Sequence, residues 1–355
     1  MPAECARGLQ GRDLMRQPVR AEVTVVICTY NRSALLRTTL ESLRQLQTHR
    51  IWELVVVDNN SIDDTNAIVS EFAKSAPIPV SYIFEPRQGK SFALNTGIAR
   101  AAGDVIAFTD DDVVVEPDWL ERACHALEQD ESIDYTGGPV RPLWAGIPPP
   151  WLDQHRSDLW GTLAILDYGD DTFIFEERCK VPLGVNMAIR RTLVTRIGGF
   201  HPELGRRGRS LLGQEQAEFL ARARAEGIRG RYVPEMRLAH YVPAARLTRR
   251  YFSRWWYWKG VSRARVDAMH RRTELGLDLR QVPYVAGVPR YVWGQVPRSL
   301  GEVVRSLLAG DARGVMRHGM RVAYSLGYIR ACWTGHRLAP VSSPALPSEP
   351  TLVSR

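Results

Sequence analysis

The chain has 355 residues, 45% hydrophobic and 24% charged, with a formal net charge of +8. That length suits one large domain or two ordinary ones, and the mixture excludes a disordered or collagen-like chain. No apolar run approaches the roughly 18 residues of a membrane-spanning helix, and Glu4, Arg7, Arg12, Asp13, Arg16 and Arg20 leave the start without the apolar core of a secretory leader.

Cys5, Cys28, Cys124, Cys179 and Cys332 stand singly, with no C-x-x-C spacing. An odd, dispersed set argues against a disulfide framework or a zinc site and for plain thiols in a reducing cytoplasm. Charge is divided unevenly. Residues 201–355 carry 27 Lys+Arg against 11 Asp+Glu, which leaves 20 against 28 for residues 1–200. An acidic front suits metal ions; a basic back suits phosphate or anionic lipid.

The apolar, β-branched run from Val23 to Cys28 predicts a buried strand. Ser33 then caps a helix with Leu36, Leu40 and Leu43 on one face. A second strand, Glu53 to Val57, ends in Asp58-Asn-Asn-Ser61, and an amphipathic segment with Ile68, Val69 and Phe72 follows. A third strand, Val80 to Phe84, precedes Gly89-Lys90-Ser91 and a helix from Phe92 to Ala101. A fourth, Asp104 to Phe108, ends in Thr109-Asp-Asp-Asp112. This alternation predicts an α/β fold, a Rossmann-like, mostly parallel sheet flanked by helices, with polar residues gathered after the strand ends.

Residues 139–151, rich in proline and tryptophan, read as a loop. Val185 to Ile189 reads as a short strand, 214–226 as a helix stopped at Gly227, and Arg231 to Pro234 as an edge strand. Beyond about residue 245, aromatics and arginines interleave around Trp255-Trp-Tyr-Trp258. Ser299-Leu-Gly-Glu302 has the form of a capping box opening a helix. A second amphipathic helix carries Val315, Gly319, Val322 and Leu326, with Arg313, Arg317 and Arg321 elsewhere on its circumference. The division expected is a flexible N-terminus (1–21), a catalytic domain (22–245, in halves 22–138 and 139–245), a basic helical extension (246–340) and a disordered tail (341–355).

Several clusters can carry chemistry. Asp110, Asp111 and Asp112 repel one another unless a cation sits there. In an extended segment Asp110 and Asp112 face one ligand, and hard oxygen donors suit Mg²⁺ or Mn²⁺ beside a polyphosphate. Asp58 at a strand end can accept from a base or ribose donor. Gly89, Lys90 and Ser91 at a helix start can receive phosphate. Glu215 and Glu218, three apart, share a helix face, and either carboxylate can serve as general base. His240 is by itself an ordinary structural histidine.

Together, Thr24 to Arg32, Val57 to Ser61, Gly89 to Asn95, Phe108 to Asp112 and Gly198-Gly-Phe200 resemble, in order and spacing, the nucleotide-sugar-dependent glycosyltransferases of family two, with the A-type fold. The resemblance covers roughly residues 22–245. It implies an inverting, metal-dependent transfer of a sugar from a nucleoside-diphosphate-sugar donor to a hydroxyl acceptor. It places Thr29, Tyr30, Arg32, Asp58 and Asn60 in the nucleotide pocket, with Gly89, Lys90, Asn95, Asp110 and Asp111 also on the donor side. Asp112 matches the direct metal ligand, with Asp110 near it and His240 closing over metal and diphosphate. Family members commonly carry Glu-Asp on the catalytic helix; here Glu215 is followed by Gln216, which leaves Glu215 or Glu218 as base, or impairs the reaction.

Two readings compete with transfer. Gln216 suggests a non-catalytic or impaired relative that keeps nucleotide-sugar binding. The basic half and Trp255–Trp258 suggest a protein that binds a membrane or other anionic surface. No nucleic-acid motif is present, and the first turn lacks the G-x-G-x-x-G of a dinucleotide oxidoreductase. The expectation is a cytoplasmic enzyme, peripheral on the inner face of the cell membrane, acting on a surface or lipid-linked glycan acceptor.

Overall fold

The computed structural model describes residues 21–152, 159–178, 180–208, 210–273 and 276–334. The expected disordered tail, and the expected flexible start apart from Ala21, lie outside them. The elements run β1 (Val23–Thr29), α1 (Ser33–Arg44), β2 (Trp52–Asp58), α2 (Thr65–Ser75), β3 (Val80–Phe84), α3 (Lys90–Arg100), β4 (Val105–Asp110), β5 (Val113–Val115), α4 (Trp119–Glu128), β6 (Ile133–Gly137) and β7 (Val140–Trp144). Then come β8 (Phe173–Ile174), β9 (Met187–Arg190), α5 (Arg191–Ile197), α6 (Glu215–Ala225), β10 (Arg229–Tyr232), β11 (Leu238–Val242), α7 (Arg249–His270), β12 (Tyr284–Val285), β13 (Val288–Pro289), α8 (Arg290–Leu308) and α9 (Ala312–Trp333).

Eight strands form the main sheet in the order β3-β2-β1-β4-β9-β6-β10-β8. The first four are parallel, as the strand–helix alternation predicts. β9 runs antiparallel to both β4 and β6, so β6 and β10 resume the original direction, and β8 opposes β10. Side chains alternate across the sheet. Val25, Ile27, Leu54 and Val56 join α1, α2 and α4 on one face, while Val26, Val55 and Val57 join α3, α5 and α6 on the other. Burial on both faces is why these strands read as continuous apolar runs, and each such side chain contributes about 1.5–3 kcal/mol. The chain winds outward from β1 to β3, then returns to place β4 on the other side of β1. That reversal opens a crevice at the carboxyl ends of β1 and β4.

Three expectations need correction. Residues 140–144 within the expected loop form β7, which pairs with β11 in a small second sheet, β5-β11-β7. β10 is no edge strand, because β8 covers its outer side. The helix expected to open at Ser299 begins nine residues earlier, at Arg290, and runs through Pro297. Pro297 lies on the exposed side of α8, where water can meet the Trp293 carbonyl that proline leaves without a helical donor.

The last helices pack on one another at close range. Cβ atoms added at Gly260 of α7 and Gly327 of α9 would each lie 1.9 Å from a backbone oxygen of the facing helix, those of Tyr324 and Tyr257. Only glycine allows this approach. Gly260→Ala should therefore lower stability by about 1–3 kcal/mol in chemical denaturation, whereas Gly319→Ala, with open space at its Cβ position, should be neutral or slightly stabilising.

Candidate active site

At the end of β4 the chain turns, so Asp111 and Asp112 leave the strand and the alternation expected from an extended segment does not apply. Each aspartate meets its own partners. Asp110 Oδ1 accepts from Lys90 Nζ at 2.7 Å. Asp111 accepts from Thr29 Oγ1 at 2.7 Å and from Arg32 Nη1 at 3.0 Å. Asp112 Oδ2 accepts from the same Arg32 Nη1 at 2.8 Å, with Arg246 3.7 Å away. Its Oδ1 faces His240 Nε2 at 3.4 Å.

Strand register explains the histidine. β11 pairs antiparallel with β5, setting His240 opposite Val113, and the Tyr241 N–H donates to the Asp112 carbonyl. His240 therefore reaches Asp112 from 128 positions away in sequence. Burial opposes ionisation of Asp112, yet His240, Arg32 and Arg246 hold its carboxyl well below the usual carboxylate range. Burial wins at Asp111, where the neighbouring Asp112 adds to it and the carboxyl is raised.

The other expected donor-side residues divide into two groups. Tyr30 is exposed just after β1, and Lys90 is half-buried at the start of α3. Asp58 is buried, with Oδ1 accepting from the Ser61 N–H and Oδ2 from the Tyr82 hydroxyl. Gly89 takes φ 150°, a backbone state suited to glycine, immediately before α3. The remaining two serve as supports. Asn95 exchanges hydrogen bonds with the Phe200 backbone, at 2.7 and 2.8 Å, and so spends its amide on the Gly198–Phe200 turn. Asn60 is exposed with φ 68° and shapes the turn after β2. Asn59, which the sequence reading passed over, is the buried organiser: its amide spans Glu85 O, Arg87 O and Gly89 N. An asparagine pair after a strand signals a turn, but register decides which member points inward.

α6 supplies the expected carboxylates, and they have different fates. Glu215, in the first turn, is half-buried, and no hydrogen bond reaches its carboxylate among the described residues. It lies close to Lys90: burial alone would lower the ammonium pKa, but Asp110 and then Glu215 raise it. Glu218 is fully buried and already engaged, with Arg222 at 2.8 Å and His270 of α7 at 3.2 Å. Arg222 goes on to donate to the carbonyls of Ile197 and Gly199. Glu218 thus ties α6 to α7 and to the turn before Phe200. Gln216 donates from Nε2 to Pro182 O at 2.8 Å, a contact an aspartate could not make. Asn186, before β9, bonds Trp119, Pro139 and Met236.

Comparison with known proteins fits this arrangement. The sequence model of Glycosyl transferase family 2 matches residues 24–198, the span from β1 through α5. The chain belongs to that family. It is 26% identical over 254 residues to a glucosyl-dolichyl phosphate glucuronosyltransferase of Haloferax volcanii, covering 70% of this chain and 78% of that protein. It is 26% identical over 230 residues to the succinoglycan biosynthesis protein ExoM of Rhizobium meliloti, covering 63% of this chain and 68% of that one. The fold is shared with the mannosyltransferase PcManGT of Pyrobaculum calidifontis, solved with GDP-Man and Mn²⁺ (TM-score 0.61, 19% identity, 90% of this chain and 89% of that chain).

Whether a family 2 chain with these residues suits a divalent cation is tested by its own polar atoms. Among the described residues, no three His, Cys, Asp or Glu side chains converge as a ready-made metal cage. Mg²⁺ and Mn²⁺ do not need one, since they bind through one or two carboxylates plus phosphate and water. Asp112 Oδ1 and His240 Nδ1 are buried without hydrogen-bond partners among the described residues, and a buried carboxylate oxygen left so is costly unless a cation meets it. The donor set fits the ion.

The Glu218 assignment is checked by stability. Glu218→Gln should cost roughly 3–5 kcal/mol, because it leaves Arg222 buried without its charge partner. Burial works against the Glu218 carboxylate, but His270 and Arg222 hold its pKa below the usual value. That stabilisation is full above about pH 4.3 and is lost as pH falls through the lower folded value. Denaturant midpoints measured from pH 7 to pH 3 should show this acid-side loss in the wild type and a shallower one in the variant.

Proposed function

We propose that the chain is an inverting glycosyltransferase, moving a sugar from a nucleoside-diphosphate-sugar to a hydroxyl of a surface or lipid-linked glycan. The observation that supports this reading is the Lys90–Asp110 pair at 2.7 Å, whose ammonium the Glu215 charge also stabilises, so the end of β4 and the start of α6 act on the same cation. Asp58 offers a carboxylate to the base at the end of β2, while Tyr30 and Arg32 flank the nucleotide. Lys90, at the start of α3, offers an ammonium to phosphate.

A divalent cation, held by Asp112 with Asp110 and His240 beside it, would supply Lewis-acid neutralisation of the departing diphosphate. As the acceptor oxygen bonds to the anomeric carbon from the face opposite the diphosphate, Glu215 takes the hydroxyl proton and the bond to the leaving oxygen breaks. Gln216 has its amide on Pro182 O, which supports a positioning part for it and leaves the base role to Glu215.

Two variants test the division of labour. Glu215→Gln should lower the transfer rate about 10²–10⁴-fold while keeping the thermal stabilisation given by a panel of UDP- and GDP-sugars with Mn²⁺. Transfer at the wild-type rate would remove Glu215 from the mechanism. Asp112→Asn should abolish the Mn²⁺-dependent part of that stabilisation, and an unchanged shift would remove Asp112 from the metal site.

A further inference from the structure

In water a helix turns its leucines inward and its serines outward. α8 does the reverse. Its buried residues are Val292, Ser299 and Ser306, which face α9. Leu300, Val304, Leu307 and Leu308 are 48%, 55%, 60% and 85% exposed. With Trp293 and Pro297 they recur every three or four residues, forming one apolar stripe along the helix. Ser306 cannot be exchanged for leucine in this packing, because it lies against Gly314 of α9, whose added Cβ would come 2.4 Å from Ser306 Oγ. The inside is narrow, and the leucines are left outside. Among the described residues nothing covers them.

The start of α8 adds aromatic groups. The Trp293 and Trp333 rings lie 5.8 Å apart over the β12–β13 hairpin, their indole N–H groups donating to the carbonyls of Val285 and Ala286. Tyr284 and Val285 beside them are half exposed. Charge is just as one-sided. α8 and α9 carry Arg290, Arg298, Arg305, Arg313, Arg317, Arg321 and Arg330 against the single acid Glu302. Apolar stripe, tryptophans at one end and an arginine surround form the pattern of a helix lying in the headgroup region of an anionic bilayer. Within the aromatic cluster that the sequence offered for this purpose, Trp256 is otherwise engaged, packing against the core beside α7 and donating to Thr162 Oγ1.

We propose that the outer face of α8 docks this protein on an anionic phospholipid surface, inserting Leu300, Val304, Leu307 and Leu308 to the acyl boundary without crossing. No helix among the described residues is long and apolar enough to span a membrane. α9 packs on α7, and α7 is tied to the catalytic helix by Ser262, which accepts the Gly213 N–H, and by His270, which meets Glu218. Docking therefore holds the transfer site at a set distance from the lipid. Surface binding stands apart from the transfer reading, since it needs neither donor nor Glu215.

The test is co-sedimentation of the full chain with phosphatidylcholine vesicles, with and without 30 mol% phosphatidylglycerol, at low and high salt, beside Leu307→Gln/Leu308→Gln and the single Leu308→Gln. Both variants alter exposed side chains, and unchanged melting temperatures check their fold. Wild type should bind the anionic vesicles, more weakly at high salt, and the double variant should partition at least about tenfold less, with Leu308→Gln in between. Wild type remaining in the supernatant at low salt would overturn the proposal. So would variants that bind as well as wild type, which would reduce binding to arginine charge alone. A concentration-dependent dimer in light scattering, lost in the double variant, would make the face a contact between two copies and overturn it as well.

Discussion

Three adjacent carboxylates cannot be brought out of water at a strand end without positive charge around them. The architecture can be understood as the means of supplying it. Arg32 comes from the turn after β1, Lys90 from the start of α3 and Arg246 from the segment after β11, while β11 sets the His240 ring beside Asp112. Each arrives on a different element, so the crevice forms only when the parallel sheet, the small second sheet and the α3 turn are all in place. The cations also keep the aspartates unequal. Asp111 is spent on Thr29 and Arg32, Asp110 on Lys90, and Asp112 keeps one buried oxygen without a hydrogen bond, with the His240 ring 3.4 Å away. A cluster that looks uniform in sequence becomes a site with direction.

The second organising constraint is the buried Glu218–Arg222 pair. It ties the start of α6 to the carbonyls of Ile197 and Gly199 and, through His270, to α7. The result is a firm base for the first turn of α6, where the Glu215 carboxylate makes no hydrogen bond among the described residues. Phe200, stacked on Phe219 and edge-on to Phe108, packs the same turn against β4. Asn95 fastens it from α3. The glycine-glycine-phenylalanine motif thus acts as a joint between β4, α3 and α6.

Much of this was legible in the letters. The β-branched runs of β1, β2 and β4 and the leucine spacing of α1 announce a doubly covered sheet, because burial on both faces removes polar residues from the strands. The polar tripeptides after those strands mark the crevice for the same reason. Less legible were the assignments of individual side chains. Asn95 and Glu218 sit in motifs that suggest ligand contact, yet both are consumed by backbone and ion-pair partners up to 105 residues away. Asn59, adjacent to the residue chosen, does the positioning.

By itself the sequence determined the elements that local chemistry dictates: hydrophobic period, turn residues, acidic and basic halves, and the family whose motifs these residues spell. Only the tertiary structure decided what depends on pairs distant along the chain. It set His240 against Asp112 through the β5–β11 register, separated Glu215 from Glu218, and placed serines inside and leucines outside on α8. Periodicity shows that a helix has an apolar stripe; it does not say which stripe another helix will cover, because that depends on how closely two backbones can approach, and here glycines set that distance.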